Sequence, residues 1–365
     1  MTMWVMIIAF AFLLSAASVV YICSRLRRFP FLKKLSERSK ALSWLASFAL
    51  VLPIGLFALI NITTMMVVLI HFAVSFALCD LIFFIVRKIT KKEVGPVVHN
   101  LSAIILTVVY LTVGWIMANH VFVTQYTFKT DKQIGGNLRI VQISDSHIGV
   151  TLDGASFAHQ MERISSYKPD VVVITGDFVD DDTSYEDMIA ACNALGSLDV
   201  RYGVFYVFGN HDKGYYNSRD FNTVQLWQAL KDNGVVVLED ESVLVDGMFY
   251  IIGRQDRSVR RRADIADLVK GLDESIYSIV LDHQPNDYEA EAASGVDLVL
   301  SGHTHGGHIF PGGIIGLLIG SNDMAYGTEV RGNTTFVVTS GISGWAIPFK
   351  TGCFSEFVVI DIIQE

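Results

Sequence analysis

Residues 170–177 read DVVVITGD. The apolar run Asp170–Thr175 is too short for a buried helix and fits a strand covered on both faces. Gly176-Asp177 then puts a flexible residue and a carboxylate where that strand ends. Working outward, short apolar runs alternate with helical patterns. Strands are expected at Leu138–Ser144, Gly203–Phe208, Val235–Leu238, Met248–Ile252, Ser278–Leu281, Asp297–Leu300, Thr335–Thr339 and Phe357–Ile362. Helices are expected at Phe157–Tyr167, Tyr185–Leu195 and Phe221–Asp232. Sheets covered by helices follow, and late strands without helices between them favour a layered α/β sandwich over a single doubly wound sheet.

Five of these strands end in polar clusters: Asp145-Ser146-His147, Gly176-Asp177, Gly209-Asn210-His211-Asp212, His283 after Asp282, and Gly302-His303-Thr304-His305. Sheets of this class gather ligands outside the C-terminal ends of their strands. The clusters hold Asp, Asn and His but no thiolate, an oxygen and nitrogen donor set suited to Mn, Fe or Zn. Each residue taken singly has a plainer reading, because Asp and Asn in turns serve backbone geometry. Asp282 and Gln284 keep that reading.

The order DxH, GD, GNHD, H, GHxH resembles that of the calcineurin-like metallophosphoesterases over about residues 137–365. The resemblance implies a four-layer α/β/β/α sandwich binding two divalent metal ions, manganese first, with iron or zinc as alternatives. Asp145, His147, Asp177 and His305 would hold one ion. Asp177 would bridge to a second held by Asn210, His283 and His303. A hydroxide held by the ions would attack phosphorus, while His211 bonds the phosphoryl oxygen or protonates the leaving group and Asp212 fixes its ring. Gly306-Gly307-His308 stands where membrane-associated relatives tend to have Gly-Gly-Gln, and Lys350 stands near where relatives often carry Arg. His308 and Lys350 are therefore candidate substrate contacts.

The N-terminal third is a different object. The chain of 365 residues is 51% hydrophobic and 18% charged, below the quarter charged that is usual for soluble domains. Eleven Lys/Arg and three Asp/Glu lie in residues 1–118, against seventeen and thirty-four in the rest. An acidic C-terminal part excludes general nucleic-acid binding as a partner reading. Ala41–Val86 would make about 69 Å of helix, roughly twice a hydrocarbon core, so it reads as a hairpin turning near Asn61–Thr64. Four spans are expected, at about 3–23, 41–60, 65–86 and 98–118, forming an all-α four-helix transmembrane domain over 1–118. A linker is expected over 119–136 and the metallophosphoesterase domain over 137–365. The first run reads as a span because it lacks a basic n-region and a small-residue cleavage site.

Lys/Arg crowd the loops after the first and third spans. These loops should be cytoplasmic, which puts the C-terminal domain outside the cytoplasm of a multi-pass cell-membrane protein. Asp80 and His71 are costly in a bilayer and should face each other or a polar neighbour. Cys192 and Cys353 are far apart in sequence, and nothing there decides whether they pair.

Ile309–Ile319 and the cluster Trp345, Ile347, Pro348, Phe349 form either a greasy rim that meets lipid or ordinary core. Arg254–Arg262 forms either an anion site or a solvated loop. An enzyme held by four spans suits hydrolysis of a phosphodiester or pyrophosphate bond in a lipid-linked substrate. Resemblance to UDP-diacylglucosamine pyrophosphohydrolases points the same way, although those act on the cytoplasmic side. The alternatives are a broad-specificity extracytoplasmic phosphodiesterase or phosphatase that uses the membrane only as an anchor, and a membrane sensor or transporter with an accessory phosphoesterase domain.

Overall fold

The computed structural model describes residues 2–214 and 218–365, with side chains from Ala9 onward. The chain divides into two compact units, Met1–Val113 and Gly114–Glu365.

The first unit is helical: α1 (Thr2–Leu26), α2 (Pro30–Arg38), α3 (Lys40–Val51), α4 (Ile62–Thr90) and the start of α5 (Pro96–Asn119). Among the described residues, four stretches are long and apolar enough to cross a membrane: Ala9–Leu26, Lys40–Leu59, Ile62–Thr90 and Pro96–Asn119. Pro53 lacks an N–H and crowds the preceding turn, and from Leu52 to Leu59 the chain tightens into a 3₁₀ helix. Asn61 then caps α4, its side chain accepting from Thr64 N at 2.7 Å. The expected hairpin turn falls there.

Asp80 and His71 do not face each other. Asp80 on α4 collects Tyr21 Oη at 2.7 Å and Arg25 Nη2 at 2.6 Å. It also meets Arg28 Nη1 at 3.2 Å and His99 Nε2 at 2.9 Å. One carboxylate thus ties α1, α4 and α5 together. His71 Nδ1 lies 2.7 Å from the Val67 carbonyl, a bond within its own helix.

In the second unit, the β1 strand (Val121–Thr130) occupies most of the stretch expected to be a linker. It runs parallel to β12 (Ser355–Gln364), from Val121↔Ser355 to Thr130↔Gln364. Its half-polar sequence VFVTQYTFKT hides it, because its partner is the last strand of the chain. The remaining strands are β2 (Leu138–Ile143), β3 (Val171–Thr175), β4 (Val204–Val207), β5 (Val236–Leu238), β6 (Glu241–Val245) and β7 (Phe249–Gly253). After these come β8 (Tyr277–Leu281), β9 (Leu298–Ser301), β10 (Gly327–Arg331) and β11 (Thr334–Val338). The expectations above omit β6 and β10, two exposed edge strands.

The strands form two six-stranded sheets, β1-β12-β2-β3-β4-β5 and β10-β11-β9-β8-β7-β6. Alternation along each strand builds the layers. Val171 and Val173 of β3 join Ile279 and Leu281 of β8 in a core between the sheets. Val172 and Ile174 point the other way, onto α6 (Gly154–Ser165), α7 (Tyr185–Gly196) and α8 (Thr223–Asp232). Ile252 and Val280 meet α9 (Ile265–Leu268) and α10 (Tyr288–Ala293) on the outer face of the second sheet. This is the expected four-layer α/β/β/α sandwich, with the four long apolar helices ahead of it.

Asp80→Ala should leave Arg25 and His99 without their shared acceptor. A charge-assisted network of this kind contributes about 1–3 kcal/mol. The expected outcome is a fall of several degrees in the thermal unfolding midpoint of the detergent-solubilised chain, read by intrinsic fluorescence.

Candidate metal centre

β2, β3 and β4 are parallel neighbours, as are β8 and β9 in the other sheet. Their C-terminal loops therefore open at one end of each sheet, and the side chains they carry meet there. The loop backbone is forced. Asp145 (φ 52°), His147 (36°), Asp177 (52°), His303 (67°) and His305 (48°) all sit at positive φ. Non-glycine residues rarely tolerate that region, and it concentrates at functional sites. Gly176 shows how tight the approach is, since a Cβ there would lie 2.6 Å from Gly209 N and 2.7 Å from His283 Nδ1. A Cβ on Gly302 would collide with Ser144 and Asp145.

Among the described residues three groups of donor atoms result: two nests, and a third group, His147, Asp180 and His211, that shares its first histidine with one of them. Asp145, His147 and His305 form one nest, and Asp177, His283 and His303 the other. His147 Nε2 and His305 Nε2 are 3.1 Å apart, and His305 Nε2 lies 3.4 Å from Asp145 Oδ1. In the second nest His283 Nε2 is 3.1 Å from Asp177 Oδ2 and 3.2 Å from Asn210 Oδ1. The same Asp177 Oδ2 lies 3.7 Å from His147 Nε2, so this one oxygen reaches toward both nests.

Partners behind the nests orient them. His283 Nδ1 donates to the Thr175 carbonyl at 2.7 Å, and His147 Nδ1 meets Asp180 Oδ2 at 2.9 Å. Both bonds turn the Nε2 lone pairs inward, the arrangement that ligating histidines need.

Charge and burial agree with that reading. Burial pushes the Asp145 carboxyl up. Burial would raise Asp177 too, but His283, then His147 and His211, outweigh it and hold that carboxyl low. Burial and the charge of His283 bring His303 down to about 4, and burial with His147 keeps His305 well below its usual value. Burial would lower His283, but Asp177 outweighs it and raises that ring well above its usual value. With neutral His303 and His305 and two ring nitrogens aimed at each other, the donor set fits a divalent cation in each nest, one of which would displace the His283 proton.

The residue that holds His211 is Asp180, not Asp212. His211 Nδ1 lies 3.0 Å from Asp180 Oδ1, so Asp180 carries both this ring and that of His147. Asp212 is completely buried, and its carboxylate accepts from four backbone N–H groups: Gly209 at 2.7 Å, Phe178 at 2.8 Å, Asp177 at 2.9 Å and Val179 at 3.1 Å. It stitches the loop after β3 to the loop after β4. Burial, then the charge of Asp177, pushes its carboxyl up to about 6. At His211 burial lowers basicity, but the hydrogen bond it donates to Asp180 and the charges of Asp177 and Asp180 outweigh it, so the ring is more basic than usual. In the sequence Asp180 stands out only as the second carboxylate of Asp177-x-x-Asp180, three residues after a ligand and remote from His211.

The calcineurin-like phosphoesterase family profile matches residues 138–307. A metallophosphoesterase of Aquifex aeolicus is 31% identical over 249 residues, covering 66% of this chain and 91% of the relative. The chain belongs to the calcineurin-like metallophosphoesterase family. Another member, from Helicobacter pylori, is 31% identical over 246 residues, and this chain spans only 62% of its length. A transmembrane protein with metallophosphoesterase domain from Bos taurus is 30% identical, with 60% of this chain and 52% of the relative covered. Members use divalent metals, and the two nests supply the residues that could hold them.

The outlying candidates fare differently. His308 stands 5.4 Å from the His305 ring, and its Nε2 is buried without a hydrogen-bond partner. Lys350 is fully buried, its ammonium donating to the carbonyls of Ser340 at 2.7 Å and Gly341 at 3.2 Å. It braces the turn against Asp145 from behind and does not serve as a phosphate contact.

Arg254, in a stretch that reads as either an anion site or a solvated loop, is neither exposed nor free: it is buried among Asp282 at 3.1 Å, Asp287 at 2.8 Å and Glu291 at 2.9 Å, and Arg262 also pairs with Asp282. Asp282 is thus structural. Gln284 donates to Asp256 Oδ2 at 2.8 Å beside Asn210. All four cysteines are free thiols.

Lys350→Met would leave two buried carbonyls without their donor, at a cost of about 1–3 kcal/mol. The expected result is a lower melting temperature with the KM for a phosphodiester unchanged within roughly twofold. A raised KM at unchanged melting would restore the substrate role.

Proposed function

We propose that this chain is a membrane-anchored phosphoesterase with two divalent cations, hydrolysing a phosphodiester or pyrophosphate bond of a lipid-linked substrate outside the cytoplasm. The observation that carries the reading is Asp177, whose Oδ2 reaches toward both histidine nests. Two cations there, manganese first, would supply Lewis acidity and an activated water for in-line displacement.

The chain's own residues do the rest. Asp145, His147 and His305 would hold one cation, and Asn210, His283 and His303 the other, with Asp177 shared between them. Asp180 keeps His211 upright and basic, so that His211 donates its proton to a phosphoryl oxygen or to the leaving alkoxide. Asp212 acts on this chemistry only by fixing the loops. Four apolar helices and the lysine-rich loops between them support the membrane anchor and the extracytoplasmic side. Only His120 separates α5 from β1, which favours a substrate presented at the bilayer over one that diffuses freely.

The test uses full-length protein in detergent, stripped of metal and given Mn²⁺, with bis-p-nitrophenyl phosphate as substrate. Asp177→Ala should abolish metal-dependent turnover, and His211→Ala should slow it by about 10²–10⁴-fold with metal still bound. Absence of metal-dependent turnover in the wild type, or an Asp177→Ala variant as active as wild type, would overturn the proposal.

The pH dependence has a definite sign. Turnover needs the protonated His211 ring, whose pKa is raised above its ordinary value, and so activity falls on the alkaline side. Asp180→Asn removes the charge that favours the imidazolium. The alkaline limb of the kcat profile should then move to lower pH, and Mn²⁺ affinity should fall by roughly 10–100-fold through His147.

A further inference from the structure

The apolar segment after His308 finds no core to enter. The α11 helix (Gly312–Leu318) is built of glycine, isoleucine and leucine, and none of its residues is buried. Phe310, Ile314, Ile315, Leu317, Leu318 and Ile319 are exposed, Leu318 to 80% and Ile319 to 72%. Elsewhere in the sandwich, exposed large apolar residues such as Val224 and Leu244 stand far apart in sequence. Scattered residues of that kind are ordinary on a protein surface, whereas a contiguous apolar patch marks an interaction surface. A helix apolar all round is stable only when something apolar covers it.

Hydrogen bonds lead from this patch to the end of α5. Phe310 N donates to Thr351 Oγ1 at 3.2 Å. Thr351 N and Gly352 N both donate to the His308 carbonyl at 2.9 Å, and Lys350 N donates to the Gly114 carbonyl, also at 2.9 Å. Contact there is close, since a Cβ on Gly114 would lie 2.8 Å from Thr351 Cγ2. Trp115 and Ile116, in the same last turns of an apolar spanning helix, are themselves exposed. The patch is thus fastened to the point where that helix ends, next to the interfacial zone where Trp and Phe side chains settle.

We infer that residues 310–319 form a membrane-docking element whose occupant is the bilayer crossed by the chain's own helices. The element starts five residues after His305. On the other flank of the site, exposed Trp345 lies 5.6 Å from the His211 ring and 6.4 Å from that of His305. Docking would hold the mouth of the metal centre at the headgroup layer and select phosphoesters carried by lipids. That last consequence rests on the proposed phosphoesterase function; the docking itself does not.

The experiment uses the full chain in nanodiscs of phosphatidylethanolamine and phosphatidylglycerol. An environment-sensitive fluorophore is attached to Leu318→Cys in a Cys353→Ser background, with Val224→Cys as the comparison site. Some of the lipids carry a nitroxide high on the acyl chain. Docking predicts severalfold quenching at position 318 and none at 224. Equal fluorescence with and without nitroxide at 318, or equal quenching at both positions, would overturn it. Hydrolysis of bis-p-nitrophenyl phosphate by the same preparation keeps the two readings apart. Turnover without quenching defeats docking alone, and quenching without metal-dependent turnover defeats the phosphoesterase reading alone.

Discussion

The constraint on which the rest of this structure depends is the burial of Asp145 and Asp177, two carboxylates with essentially no access to water. An uncompensated buried carboxylate is far too costly to keep. Nearly everything around the pair supplies positive charge, N–H groups or lone pairs arranged to share a cation. His303 N donates to both oxygens of Asp145 at 3.0 Å, and His211 N donates to Asp177 Oδ1 at 2.8 Å. Imidazoles from four separate loops close the remaining sides.

That arrangement explains why the sandwich carries two sheets. A single sheet would offer its loops along one line, whereas here the loops of β2, β3 and β4 face those of β8 and β9. Asp145 from one sheet meets His305 from the other, and Asp177 meets His283. The strained backbone at five of these residues is affordable because the strands below are locked on both faces, Val171 and Val173 inward and Val172 and Ile174 outward. A glycine at 176 or 302 is required by the same closeness, since any side chain would push one sheet's loops away from the other's.

Much of this was legible in the sequence because strand-end motifs are local. DVVVITGD contains both its strand and its ligand, and four apolar stretches declare themselves by length. What was missed depends on partners distant in the chain or on the direction of a side chain. β1 looked like a linker because its pairing strand lies at the other end of the chain. Asp212 adjoins His211 in sequence, but its side chain turns back to the loop after β3, while Asp180, a turn residue after β3, carries the ring. Lys350 looked like a substrate contact, and Arg254 like part of an anion site or a solvated loop, because charge in a sequence suggests solvent or substrate. Only burial and the carbonyls and carboxylates around them show that they brace the domain from inside. Residues 310–319 show the reverse, because an apolar run that fitted core or rim equally well is exposed.

The proposed centre holds two cations and joins the two nests through Asp177. The most direct test is the metal content of the full-length protein after loading with Mn²⁺ and removal of the excess, measured by mass spectrometry of the digested sample. A joined centre should hold about two ions per chain in the wild type, lose one on His303→Ala, and hold neither tightly in Asp177→Ala. One ion or none per chain in the wild type, or two retained in Asp177→Ala, would contradict it.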